Sequence, residues 1–171
     1  MLATGMVHGR FQPFHRGHLE YVREAAGRCR DLFVGITNPE SDLVPPEPAS
    51  PHRHLAAANP YSFWERALMV RVALAEDGIE PRRLLIVPFP IHDPSRWHHY
   101  LPSEATHFIR VFSRWESEKA ERLRAAGHRV VELQMAVKEV SGTEVRRRME
   151  AGEDWSELVP PAVARLLGAG G

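Results

Sequence analysis

The chain has 171 residues, enough for one domain with its own core, and 43% of them are hydrophobic. Its 22 basic and 22 acidic side chains cancel, which argues against the broad basic footprint of a nucleic-acid binder but leaves room for a local cationic pocket. No apolar run reaches the roughly 18 residues a membrane span needs, and no signal peptide is evident, so a cytoplasmic protein without a membrane partner is expected.

Residues 1–9, MLATGMVHG, are an apolar run closed by glycine and predict a buried first strand. RGHLEYVREAAGRC (16–29) follows with Leu19, Val22, Ala25, Ala26 and Cys29 near helical spacing. Cys29, the single cysteine, cannot form an internal disulfide and reads as a small buried group in that helix. DLFVGITN (31–38) predicts a second strand. A proline-rich stretch without periodicity then runs through residues 38–60, a long loop of the kind that serves as a lid. YSFWERALMVRVALAEDG is an amphipathic helix, with Ser62 and Glu65 spaced as a capping box and Gly78 as its stop. RLLIVPFP is a third strand and DPSRWHHYL a short helix. THFIRVFS is a fourth strand, ESEKAERLRAAG a helix and HRVVELQ a fifth strand. SGTEVRRRMEAG opens another helix, and DWSELVPPAVARLLG adds one or two short ones.

Strands alternating with helices imply right-handed βαβ units. The expectation is an α/β fold: a single Rossmann-like domain over residues 1–171, with a parallel five-stranded sheet and helices on both faces. Ligands of such sheets bind beyond the carboxyl ends of the strands, near the switch in strand order. The segment GRFQPFHRGH (9–18) falls there, just after the first strand.

Neither G-x-x-x-x-G-K-[ST] nor G-x-G-x-x-G occurs, so phosphate must be held another way. His15 and His18 place two imidazoles at a helix start, where free N–H groups and the helix dipole favour an anion. Gly17 allows a close backbone approach, and Arg10 adds a forked, permanently charged donor. A second anion seat lies in SGTEVRRR (141–148). Ser141, Gly142 and Thr143 open a helix there, and Arg146 lies one turn on, along the same face as Thr143. Each motif alone is weak: Ser-Gly-Thr is an ordinary cap, and Arg147 and Arg148 read as a solvated face. One motif after the first strand and one after the last, together, could grip one polyphosphate.

These residues resemble the HxGH nucleotidyltransferases, most closely the archaeal-type nicotinamide-mononucleotide adenylyltransferases. GRFQPFHRGH is similar to that family's opening motif and SGTEVRRRM to its closing phosphate motif. NPYSFWERALMVRVAL resembles its Asn-Pro-Phe and Glu-Arg segment, and GEDWSELVP fits its tail. The resemblance implies transfer of a nucleotidyl group from a nucleoside triphosphate to an acceptor phosphate, with release of pyrophosphate and no covalent enzyme intermediate. It implies catalytic roles for His15, His18, Arg10 and Arg146. It implies nucleotide contacts from Gly9, Phe11, Gly17, Phe112, Arg114, Trp115, Ser141, Gly142 and Thr143. Acceptor contacts would come from Asn38, Arg66, Trp97 and Arg96, with Trp97 stacking the acceptor's ring. Mg²⁺ is expected on the triphosphate and water, with no dedicated protein metal site. The family also often forms homo-oligomers, although no interface stripe stands out here.

Three departures bear on the substrates. The loop after the second strand is longer than the family's and carries His52, Arg53 and His54. After the fourth strand, Arg114 and Trp115 stand where the family has small residues. His92 and Asp93 are additions before Trp97. The triphosphate motifs are intact while the substrate-reading segments differ. This favours CTP and a small phosphonate, as in the phosphonate cytidylyltransferases of the same scaffold, over ATP and nicotinamide mononucleotide. Trp97 is the strongest feature on the other side, unless it is a packing aromatic. A nucleotide sensor would not need the leaving-group apparatus. A zinc site is disfavoured because His98-His99 and His52-x-His54 lack ligand spacing.

Overall fold

The computed structural model describes residues 1–40, 42–46, 48, 51–52, 54–134 and 140–168. Its elements run β1 (Leu2–Gly9), α1 (Arg16–Ala26), β2 (Cys29–Thr37), α2 (Phe63–Glu76), β3 (Leu84–Phe89), β4 (Thr106–Arg110), α3 (Arg114–Ala125), β5 (Arg129–Leu133), α4 (Gly142–Ala151) and α5 (Pro161–Gly168). Short 3-10 turns occupy Ala56–Ala58, Pro81–Arg83, Pro94–His99 and Ser156–Leu158. The five strands form one parallel sheet in the order β3-β2-β1-β4-β5.

The centre of the sheet is apolar on both faces, as a parallel sheet requires. Met6 and Val7 are successive residues of β1 and both are fully buried. Met6 joins Phe89, Trp97, Ile109 and Leu123 on the α3 side. Val7 joins Val22, Val70, Val145 and Val163, which bring in α1, α2, α4 and α5 on the other. Each such side chain contributes about 2 kcal/mol of burial. α2 starts where its capping box lies: the Ser62 N–H donates to Glu65 Oε2 at 2.8 Å, and the Glu65 N–H to Ser62 Oγ at 3.4 Å. Gly78 follows the helix at φ +79°.

The strand order reverses between β1 and β4, and the register opens a crevice there. β1 stays paired with β2 as far as Gly9↔Ile36, but with β4 its pairs are Gly5↔Thr106 and Met6↔His107. Beyond Met6 the two strands diverge, and His8 and Arg110 line the space that results.

Two boundaries correct the sequence reading. Cys29 is the first residue of β2, not part of a helix; α1 stops at Ala26, and the buried Cys29 thiol donates back to Ala25 O at 3.4 Å. Helical spacing could not see that stop. β4 ends at Arg110 instead of continuing to Ser113, so Val111, Phe112 and Ser113 form a loop into α3. No described helix is long and apolar enough to cross a membrane.

Candidate active site

His15 is the N-cap residue of α1 and only 2% exposed. Its backbone N–H donates to His18 Nδ1 at 3.2 Å, and the two rings stack with centroids 3.6 Å apart. With Nδ1 accepting, the neutral His18 ring carries its proton on Nε2, which is left as the donor. Phe11 and Phe14 pack against the His18 ring at 4.9 and 5.6 Å and hold its orientation. Both imidazoles line the cleft above β1.

The second motif docks against the first. Ser141 caps α4, its Oγ accepting from the Glu144 N–H at 3.2 Å, which leaves the hydroxyl proton to donate. A Cβ on Gly142 would lie 2.8 Å from Gln12 O, so this position needs glycine for the α4 N-terminus to reach the β1–α1 loop. Arg146 donates from Nη1 to that same Gln12 O at 2.6 Å and from Nη2 to Thr143 Oγ1 at 3.4 Å. Two helix N-termini from opposite ends of the chain thus converge on one cleft. Arg147 and Arg148 turn away to Glu144 and Glu153, a solvated face as expected.

Arg66 corrects the sequence reading. It is fully buried and spends all five N–H groups on backbone carbonyls: Ser62 from Nε, Arg10 and Thr37 from Nη1, Asn38 and Pro39 from Nη2. Burial pushes its pKa down to about 10, which leaves it a cation. No donor remains for an acceptor phosphate. Its task is to pin the ends of β1 and β2, where Phe11 (φ +54°) and Asn38 (φ +49°) hold left-handed backbone that needs outside support. Gln12, which the sequence reading passed over, does related work: its amide exchanges two hydrogen bonds with the Tyr61 backbone, at 2.8 and 2.9 Å. Arg10 reaches Ala58 O at 3.2 Å and Asn59 Oδ1 at 3.3 Å, tying the end of the long loop to the cleft.

The cleft measures about 440 Å³. Gly9, Phe11, His15, His18 and Ser141 to Thr143 border one end of it, whereas Gly17, expected to contact the nucleotide, does not line it and gives its carbonyl to Arg110 Nη1. Tyr21, Arg110, Phe112 and Glu116 border its β4 side, with His8, Trp115 and Lys119 beneath. A side cavity of about 30 Å³ opens toward β2 and β3, with Asn38, Val44, Ile91 and His92 in its walls. Gly9, Arg10, Trp115 and Lys119 line both spaces. From the long loop, His52 and Ala58 face the cleft; Arg53 lies outside the described residues.

Three further expectations are not met. Trp97 is 1% exposed, donates its indole N–H to Pro90 O at 2.8 Å and packs on Phe89 and His128. It is a core aromatic bordering neither space, so it offers no face to an acceptor ring. Arg96 is exposed and bonds the Tyr100 hydroxyl at 3.3 Å, and Arg114 is exposed and pairs with Glu118. Neither borders the cleft or the side cavity, which spacing alone could not show. Arg110, Glu116, Lys119 and His8 were missed because each sits in an unremarkable strand or helix pattern. They reach the site through the register between β1 and β4.

The floor of the cleft is unusual electrostatically. His8 is buried with neither ring nitrogen hydrogen-bonded, and burial, then Lys119 and His107, holds its pKa well below the ordinary histidine value. His107 beneath it, 5.6 Å away ring to ring, is pushed down to about 3, chiefly by burial. Burial also lowers Arg110 and Arg146, both still cations. Among the described residues no group of three His, Cys, Asp or Glu side chains could hold a metal ion.

A family model described as cytidylyltransferase-like matches residues 6–148. The phosphonoformate cytidylyltransferase of Streptomyces viridochromogenes is 48% identical over 96% of this chain and 90% of that protein. The nicotinamide-nucleotide adenylyltransferase of Thermococcus kodakarensis is 31% identical over 98% of this chain and 83% of that protein. Among solved structures, a bifunctional NMN adenylyltransferase/ADP ribose pyrophosphatase from Francisella tularensis superposes on 93% of this chain with a TM-score of 0.70. The chain spans 45% of that longer protein at 18% identity, a likeness of fold. A structure of the same bifunctional protein holds AMP and a manganese ion. With the family model covering most of its length and a relative of nearly half identity end to end, the chain belongs to the cytidylyltransferase-like family and is a nucleotidyltransferase on a Rossmann-like fold.

Proposed function

We propose that this enzyme transfers CMP from CTP to a small phosphonate carrying a carboxylate, with release of pyrophosphate. The observation that carries this reading is the 48% identity, over nearly the whole chain, to a phosphonoformate cytidylyltransferase. The burial of Trp97 removes the stacking face that a nicotinamide would use. The side cavity of about 30 Å³ beside Arg10 and Lys119 has room for a carboxylate.

In this reading a phosphonate oxygen attacks the α-phosphorus of CTP. The new P–O bond forms as the bond to the bridging oxygen of the β-phosphate breaks, and pyrophosphate takes the electron pair. Such transfer depends on positioning and charge stabilisation more than on a protein nucleophile. His18 Nε2–H and His15 stabilise charge on the α-phosphate and leaving oxygen. The α4 N-terminus, the Ser141 and Thr143 hydroxyls and Arg146 hold the β- and γ-phosphates. Arg10, which borders both spaces, bridges donor and acceptor. Nucleotidyltransferases work with a divalent cation; here we assign it as Mg²⁺ arriving on the triphosphate and held by phosphate oxygens and water.

Pyrophosphate release tests the proposal. CTP, ATP, GTP and UTP are crossed with phosphonoformate, other small phosphonates and nicotinamide mononucleotide. Turnover with CTP and a carboxylated phosphonate is expected. Turnover confined to ATP and nicotinamide mononucleotide would overturn the substrates, and nucleotide binding without turnover would overturn the activity.

A further inference from the structure

The β4 side of the cleft holds an apparent contradiction. A site for a triphosphate should be lined with cations and neutral donors, and this one is, with one exception. Glu116, in the first turn of α3, is the single carboxylate among the described residues that border the cleft. Its carboxylate lies close enough to Arg110 and Tyr21 for its charge to act on both. A fixed negative charge here weakens binding of a tetra-anion unless some hydrogen-bond donor of the ligand meets it.

The surroundings show which part of the ligand that is. Arg110 donates to Gly17 O, and its guanidinium stacks between the rings of Tyr21 at 4.9 Å and Phe112 at 5.1 Å. The Tyr21 hydroxyl donates to Phe108 O, which locks the inner plate of that stack. Phe112 is the outer plate and is 37% exposed, a large apolar ring left open at a cleft wall. An immobilised aromatic–guanidinium plate beside the phosphate seats is a surface for a flat heterocycle. Ser113 Oγ–H donates to Glu116 Oε2 and orients the carboxylate, which borders the same cleft as Phe112.

We propose that Phe112, backed by Arg110, forms the platform for the nucleobase and that Glu116 reads its exocyclic amine. A carboxylate accepts from the 4-amino group of cytosine or the 6-amino group of adenine, and it repels the carbonyl oxygen that uracil or hypoxanthine has in that place. Glu116 is therefore a specificity-determining residue that admits amine-bearing pyrimidines and purines. The inference rests on the cleft being the nucleotide site and not on which acceptor is used.

The test is a titration of the full-length protein with Mg²⁺ and CTP or UTP, without acceptor, and the same with ATP and ITP. The wild type should bind the amine-bearing member of a pair about 10²-fold more tightly. Glu116→Gln, whose carboxamide can turn its NH₂ toward a carbonyl, should shrink that ratio at least about tenfold by gaining UTP or ITP. Phe112→Ala should weaken all four nucleotides alike, since every base offers a π-face. Glu116→Ala should lose the preference without gaining UTP, and it serves if the amide variant folds poorly. An unchanged ratio in both Glu116 variants, or a wild type indifferent to the amine, would overturn the assignment. A carboxyl-free acceptor would overturn the proposed reaction and leave this ratio untouched.

Discussion

Acidification should destabilise the fold through the histidines beneath the cleft, and His107 allows the effect to be worked out. Its ring is fully buried, neither nitrogen is hydrogen-bonded, and His8, His128 and Lys119 are its titratable neighbours. Burial first, then the neighbouring charges, pushes its pKa from 6.5 to about 3. The folded ring therefore stays neutral at pH 5, while the unfolded chain takes up a proton around pH 6.5. The unfolded state binds more protons in this window, so stability is complete above pH 6.5 and falls as pH drops toward 3. Between pH 7 and pH 5 the loss is 1.5 pH units below the unfolded value, or about 2 kcal/mol at 1.36 kcal/mol per unit. Urea denaturation at the two pH values reads this directly. With a slope of about 2 kcal/mol/M, the midpoint contribution of this one residue is about 1 M. His107→Phe, which keeps a flat ring in the slot, should reduce the shift between pH 7 and pH 5 by that amount. Equal shifts in the wild type and the variant would refute the reasoning, because the buried ring would then be titrating as it does in the unfolded chain.

Four other outcomes follow from the geometry. Arg66→Met should leave several buried carbonyls without donors and cost at least about 3 kcal/mol, a fall in Tm of about 10 °C; an unchanged Tm with a raised acceptor KM would return its guanidinium to the acceptor. Arg66→Lys should fail to rescue it, since an ammonium has three donors for five carbonyls, and the same melting experiment reads this. Gly142→Ala pushes a methyl against Gln12 O, separating the two helix N-termini; kcat/KM for the triphosphate should fall about 10²-fold at nearly constant Tm. His18→Ala removes a charge-stabilising donor and should lower kcat about 10²-fold or more, with a stability loss near 1 kcal/mol from the missing cap; near-normal turnover would remove it from the chemistry.

The parallel five-stranded sheet and the position of the two helix-start motifs follow from the sequence by itself; the strand order came from the structure. Apolar runs alternating with helical periodicity admit few packings other than a parallel sheet, and the handedness of the crossovers limits its order. The same logic puts GRFQPFHRGH at the carboxyl end of the first strand and SGT at a helix start, where local backbone geometry makes an anion seat whatever surrounds it. The Ser62–Glu65 box and the Gly78 stop were equally local and equally legible. Which long side chains face the substrate was not local. Arg66 in helix α2 is consumed by five carbonyls, whereas Arg110 at the end of β4 lines the cleft against the Phe112 ring. Trp97 sits in a family-like segment and is sealed by Phe89 and His128, residues that only the folded sheet brings to it. Periodicity reports the face a side chain leaves from, but the partner it meets depends on strand register and helix placement. For His8 and Arg110 that placement is the divergence of β1 from β4 after Met6, which opens the space they line.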